Sequence, residues 1–172
     1  MITPEDAIIS VLAVSPGHEV RGKKRIHKIA FLCNYCHAPI AAQFNIRHFG
    51  VFSNEIAGAL DVLTTFGDLD MHDEQIGPNG YFITVYSLSG KPRHKPDPKV
   101  AKVAAALAAY STPSLEVAST VAYFTMHGLS EAGAMKETRR IKPALSSGAQ
   151  FAITKRLLNA LAEIGAGGDG QR

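Results

Sequence analysis

RGKKRIHKIAFLCNYCHAPIAAQFNIRHFGVFSNEIAGALDVLTTFG, residues 21–67, holds a basic helix start, an aromatic-rich extended segment and a capped helix in one run. The apolar spacing predicts a helix from about Gly22 to Cys36, ended before Pro39. Phe44 to Phe49 alternates well enough for a short strand. Ser53 is a natural N-cap, Ile56, Leu60 and Leu63 recur behind it at helical spacing, and Gly67 suits the helix end. The literal CNYCH has the form of a haem-attachment or zinc motif. At about 100° per residue, however, Ile26, Ile29, Ala30, Cys33, Cys36 and His37 share an arc of roughly 120°. That placement assigns the cysteines to a core stripe.

Upstream, Thr3 and Pro4 read as an N-cap and first helical position, and the helix stops at Ser15-Pro16-Gly17. Downstream, Leu69 to Ile76 and Tyr81 to Leu88 flank Gly77-Pro78-Asn79-Gly80, a hairpin signal. Helix, helix, strand, helix and hairpin is the order of a winged helix-turn-helix, with Asn79-Gly80 at the wing tip. GKPRHKPDP (90–98) is a basic, Pro-rich linker. Helices are then predicted near 98–110, 114–127, 130–141 and 149–164, and GAGGDGQR reads as a disordered tail. The expected fold class is mainly α with a small β-hairpin. A winged-helix-like module spans 1–90, the linker 91–98, a helical extension 99–164 and the tail 165–172.

Composition sets the outer bounds. Of 172 residues, 46% are apolar and 19% charged, ordinary for a globular protein. No apolar run approaches the roughly 18 residues of a membrane span. MITPEDAIISVLAVSP reads as a helix start rather than a signal peptide, and two cysteines fit thiols in a cytoplasmic protein. The net charge of +3 conceals blocks: six Lys/Arg and no acid over 20–54, then six acids and no Lys/Arg over 55–74. A basic stretch returns at Lys91, Arg93, Lys95, Lys99 and Lys102. Such blocks either neutralise one another in the fold or make a polarised surface that meets nucleic acid, a charged partner or another copy.

Arg21, Lys23, Lys24, Arg25 and Lys28 crowd the start of the second helix. Lys24 and Lys28 share a face with Phe31 and Tyr35, opposite the cysteines. That face is either a phosphate-contacting surface or a seam where the later helices dock. Arg47 and His48 on the strand, and Arg93 and Lys95 on the linker, complete the candidate contact set. The third helix offers Asn54, Glu55 and Asp61 but no Lys or Arg, which argues against reading base edges in a major groove. Seven histidines are scattered, and no nucleophile elbow, phosphate loop or zincin motif occurs. Asp68, Asp70, His72 and Asp73 read as an exposed strand face rather than a metal site. No catalytic activity, cofactor or metal is expected.

The run RGKKRIHKIAFLCNY…FNIRHFGVFSNEI…YFITVYSL resembles the pattern G-x-x-K-x-x-K-x-x-(F/Y)-L…F-x-x-x-x-(Y/F)-G-P-(F/Y)-S-x-E-(I/L) of the Panacea (SocA-like) antitoxin domain and of YwgA-like bacterial proteins. The matching positions are Gly22, Lys28, Phe31, Leu32, Phe44, His48, Phe49, Gly50, Phe52, Ser53, Glu55, Leu60, Gly67 and Tyr81. Val51 stands where the family usually has Pro. LEVASTVAYF (115–124) and SEAGAMKETRRIKP (130–143) are similar to the helical tail of YwgA-like members. The resemblance implies a protein-interaction module of antitoxin or adaptor type in a bacterial toxin–antitoxin or defence system. Its partner would be a cognate toxin or client, and no enzyme activity or cofactor comes with the family. The alternative is a winged-helix nucleic-acid-binding protein that touches mainly phosphates through Lys23, Lys24, Lys28, Arg47, Arg93 and Lys95. Homo-oligomers are compatible with both, and a membrane with neither.

Overall fold

The computed structural model describes residues 1–166. The fold is mixed α/β and mainly helical: 58% is helix, in seven α-helices among the described residues, with small antiparallel sheets. Helix α1 (Pro4–Val14) is capped by Thr3, whose side chain accepts the Asp6 N–H at 3.1 Å. A single 3-10 turn leads into strand β1 (Glu19–Arg21), and Gly22 then turns the chain into α2 (Lys23–Tyr35). Gly22 needs its missing side chain twice over. Its φ is +89°, and an added Cβ would sit 3.2 Å from Cδ1 of Ile83.

Strands β2 (Asn45–Arg47) and β3 (Gly50–Phe52) pair antiparallel, with Ile46 opposite Val51. Helix α3 (Asn54–Thr65) follows, its Ile56 N–H held by the Ser53 hydroxyl. Strands β4 (Leu69–Ile76) and β5 (Tyr81–Leu88) form the predicted long hairpin. Strand β1 adds to β5, giving a three-stranded antiparallel sheet in the order β1-β5-β4. Helices α4 (Pro98–Leu107), α5 (Thr112–Met126), α6 (Glu131–Ile141) and α7 (Gly148–Ala166) complete the chain.

Four expectations are revised. The single strand over Phe44–Phe49 is a hairpin whose turn is His48-Phe49. Strand β1, absent from the sequence reading, is three residues long and carries two charges, so it has no apolar period of its own. Helix α2 stops at Tyr35, and His37 takes φ +60° and is exposed, outside the core stripe to which spacing assigned it. Helix α7 runs to Ala166, past the expected start of the tail, whose remaining residues 167–172 lie outside the described residues.

The main core runs from Ala7 on α1 through α2, α3 and the long hairpin to Leu157 and Leu161 on α7. It therefore crosses the boundary drawn at 91–98. The linker is tied down along its length: Asp97 N–H donates to Ser10 Oγ at 2.7 Å, and His94 lies 3.1 Å from Asp6. Arg93 grips the buried Asp68 through its side chain at 3.0 and 2.6 Å. A second, smaller cluster joins Val117 and Val121 of α5 to Ala134 of α6 and Phe151 of α7. Phe31 and Tyr123 meet with ring centroids 6.1 Å apart, so the α2 face opposite the cysteines is the seam on which α5 docks.

Candidate functional site

One face of the first half of α2 and the β2–β3 hairpin enclose a groove of about 360 Å³. Lys23, Lys24, His27 and Lys28 recur at the i, i+1, i+4, i+5 spacing of a single helical face. Arg47, His48, Phe49 and Phe52 supply the opposite wall. The arrangement is an apolar hollow with a cationic rim. Lys24 Nζ stands 3.7 Å from the centroid of the Phe49 ring, and the Arg47 guanidinium 4.4 Å from that of Phe52. These are cation–π distances, and they leave each cation's outer side to solvent. Phe49, at the turn of the hairpin, is 57% exposed.

Lys28 has the opposite fate to Lys24, one turn away. It is buried at the groove floor, and its ammonium donates to the carbonyls of Phe49 at 2.7 Å and Val51 at 3.4 Å. Burial pushes its pKa down to about 8, an effect Glu116 opposes and Lys142 and Lys24 reinforce. Glu116 of α5 and Lys142 form an ion pair at 2.5 Å, and both lie mostly out of solvent. All three side chains converge under Gly50, which has φ +88°. Lys28 thus braces the hairpin against α2 and α5 rather than reaching outward to a phosphate.

His27 is the other buried polar group of the wall. Its Nδ1 accepts the Ser53 N–H at 3.2 Å, and its ring stacks on Phe52 at 4.5 Å. Desolvation, with Lys28 and Lys23 nearby, lowers its pKa to about 3, so the ring is neutral. Because Nδ1 accepts, the proton sits on Nε2, which is buried and has no partner among the described residues. Sequence reading passed over His27; its only signal was its place on the helical face between Lys23 and Lys28.

The other candidates separate. Lys23, Lys24, Arg47 and His48 gather at the groove. Phe31 is buried in the core, and Tyr35 borders a separate hollow near Cys36 and Met126. Arg93 is committed to Asp68 and stacks 4.8 Å from the Phe66 ring, which holds the Asp68 carboxyl below the usual carboxylate range. Lys95 is exposed on the linker and lies outside the groove lining. Cys33 and Cys36 are buried free thiols that donate to the carbonyls of Val100 and Leu161. Burial pushes the Cys33 thiol up and the Cys36 thiol to about 11, which suppresses the nucleophilic thiolate. No group of three metal-ligating side chains gathers among the described residues. No helix among them is long and apolar enough to cross a membrane.

Helix α3 presents a different surface. Ile56, Ala59, Leu60 and Leu63 face the core, while Glu55, Gly58, Asp61, Val62 and Phe66 at the helix end face solvent. This outer face is acidic and apolar. Val62 is 41% and Phe66 64% exposed, at the i, i+4 spacing of one face. A mainly helical scaffold with a cationic groove beside an acidic helix is the class of protein these residues define. No family model, curated protein or solved structure matches the chain.

Proposed function

We propose that this chain is a winged-helix-like interaction module of antitoxin or adaptor type, and that the outer face of α3 is the surface that grips a protein partner. The order of elements and the sheet order β1-β5-β4 support the winged-helix reading. The observation that carries the function is the outer face of α3. In a nucleic-acid-reading protein this helix needs cations and amides, and a duplex repels Glu55 and Asp61. Exposed Val62 and Phe66, on a helix that also exposes Glu55 and Asp61 and with Arg93 against one side of the Phe66 ring, are instead suited to a partner with an apolar surface. The antitoxin assignment rests on the sequence pattern around Gly22, Lys28 and the Ser53 cap.

The test is co-expression with the products of neighbouring genes, followed by affinity purification. A stoichiometric partner that is retained by the wild type and lost by the Val62→Glu, Phe66→Asp double variant supports the reading. A partner that binds both equally, or no partner from either neighbour, overturns it.

A second reading has its own observation, the convergence of Lys23, Lys24 and Arg47 on one groove. It makes the groove a phosphate contact. A mobility shift that weakens steeply with salt and disappears in Lys24→Glu, Arg47→Glu would favour it, and no shift at low salt ends it.

A further inference from the structure

The β4–β5 hairpin has a design opposite to that of the groove. Its tip is apolar: Ile76, Tyr81 and Phe82 are 50%, 77% and 69% exposed around the Gly77–Gly80 turn. Along its shaft Asp70, at the base beside Leu69, and Asp73 are exposed, whereas Glu74 is paired with Arg21 of the same chain at 3.0 Å. The groove has apolar walls, chiefly Phe49, Phe52 and the His27 ring, and a basic rim of Lys23, Lys24 and Arg47. One element is an apolar knob on a negative stem, the other an apolar hollow with a positive mouth.

We propose that the groove receives the β4–β5 hairpin tip of a second copy of this chain, forming a knob-in-groove contact between protomers. Two observations favour this occupant. First, a run of exposed large apolar side chains on a projecting tip is unusual on a surface that stays alone in water. Second, the charge match is local. The cationic rim ends where α3 begins, because Asn54 ties down Arg47 at 3.2 Å and Glu55 follows it. A long polyanion would run from the rim into Glu55 and Asp61. A short stem carrying the exposed carboxylates of Asp70 and Asp73 does not.

A contact built this way has an electrostatic and an apolar part, and they respond differently. Rim-to-stem attraction is screened by salt, whereas seating the tip is not. The proposal goes beyond partner binding on α3 and does not depend on it: Val62→Glu, Phe66→Asp leaves the groove and the hairpin tip untouched.

The test is sedimentation velocity on the full chain over a wide concentration range, at low and at moderate salt. The wild type should associate, with average mass rising with concentration and the affinity falling as salt is added. Lys24→Glu, Arg47→Glu and, separately, Asp70→Lys, Asp73→Lys should each weaken association by about tenfold or more. Mixed in equal amounts, the two variants should associate again, because each supplies the half that the other lost. Tyr81→Ser, Phe82→Ser should abolish association at every salt concentration. All sites are exposed, so circular dichroism should show unchanged folding. A monomeric wild type at the highest soluble concentration overturns the proposal. So does association of either charge variant with wild-type affinity, or failure of the mixture to recover.

Discussion

The two hairpins of this protein are built from the same kind of local pairing and held by different physics. The short one, β2–β3, lies flat on α2 and α5 and is fastened from beneath by a buried ammonium that donates to two of its carbonyls. The long one, β4–β5, is fastened from its base to its middle, where Leu69, Val85 and Tyr86 are buried, β1 pairs with β5 and Arg21 reaches Glu74 at 3.0 Å, and its tip extends into solvent. A hairpin bound by buried charge keeps its side chains in register with a neighbouring helix, as a recognition groove requires. A hairpin bound only as far as its middle offers reach and an apolar tip. Damage to the first should therefore cost stability, and damage to the tip of the second should cost only association.

The largest effect is expected beneath β2–β3. Glu116→Gln removes the anion that faces Lys28 and Lys142 and leaves two buried cations without it. Breaking such a cluster costs about 3–5 kcal/mol, read as a fall in the urea midpoint with unchanged slope. If Glu116→Gln melts like the wild type, the brace under the hairpin is not electrostatic.

Acid should act on the same hairpin through His27. Its folded pKa of about 3 lies below the ordinary 6.5, so the unfolded chain takes up the proton first. Stability is full above about pH 6.5 and is lost as pH falls from there toward 3, on the order of 2 kcal/mol by pH 4.5. His27→Phe keeps the stack on Phe52 and should flatten that slope, although the orphaned Ser53 N–H lowers overall stability by about 1–3 kcal/mol. A slope identical in both proteins would show that other groups carry the acid response.

Next in size is Gly50→Ala. At φ +88° an alanine is strained by about 1–2 kcal/mol, and the backbone carries that cost alone, because its Cβ would meet Lys28, Glu116 and Lys142 at an ordinary contact distance of 3.5 Å. The smallest effect belongs to the free tip. Tyr81→Ser, Phe82→Ser should shift stability by no more than about 0.5 kcal/mol, measured by urea at a concentration below any association. A larger loss would mean that the tip is held by its own chain after all.

Much of the fold was legible because it is encoded locally. Thr3, Ser53 and Ser130 each cap the helix whose start they mark, and the Gly77–Gly80 turn lies where the dipeptides place it. The helical boundaries of the second half follow the same short-range chemistry. What was hidden depends on partners distant in sequence. Strand β1 exists because β5, more than sixty residues later, offers it an edge. Lys28 is buried because Glu116 and the carbonyls of Phe49 and Val51 reach it, whereas Lys24, an equally basic letter, stays at the surface. Arg93 reads as a free linker cation until the fold brings Asp68 beneath it. The site was legible in the same partial way. Lys23, Lys24, Arg47 and His48 do converge, but the neutral His27 between them has no local mark.

The core that spans the linker has a consequence for how the chain can be cut. Peptide bonds near Lys91 and Lys95 are exposed, yet Ala104, Leu107, Leu115 and Ala118 beyond them are as deeply buried against α1 and α2 as any residue of the first half. A protease that nicks this stretch should yield two fragments on a denaturing gel that travel as one particle under native conditions. The cleaved protein would be a heterodimer of its own halves, and neither half released alone would have a finished interior.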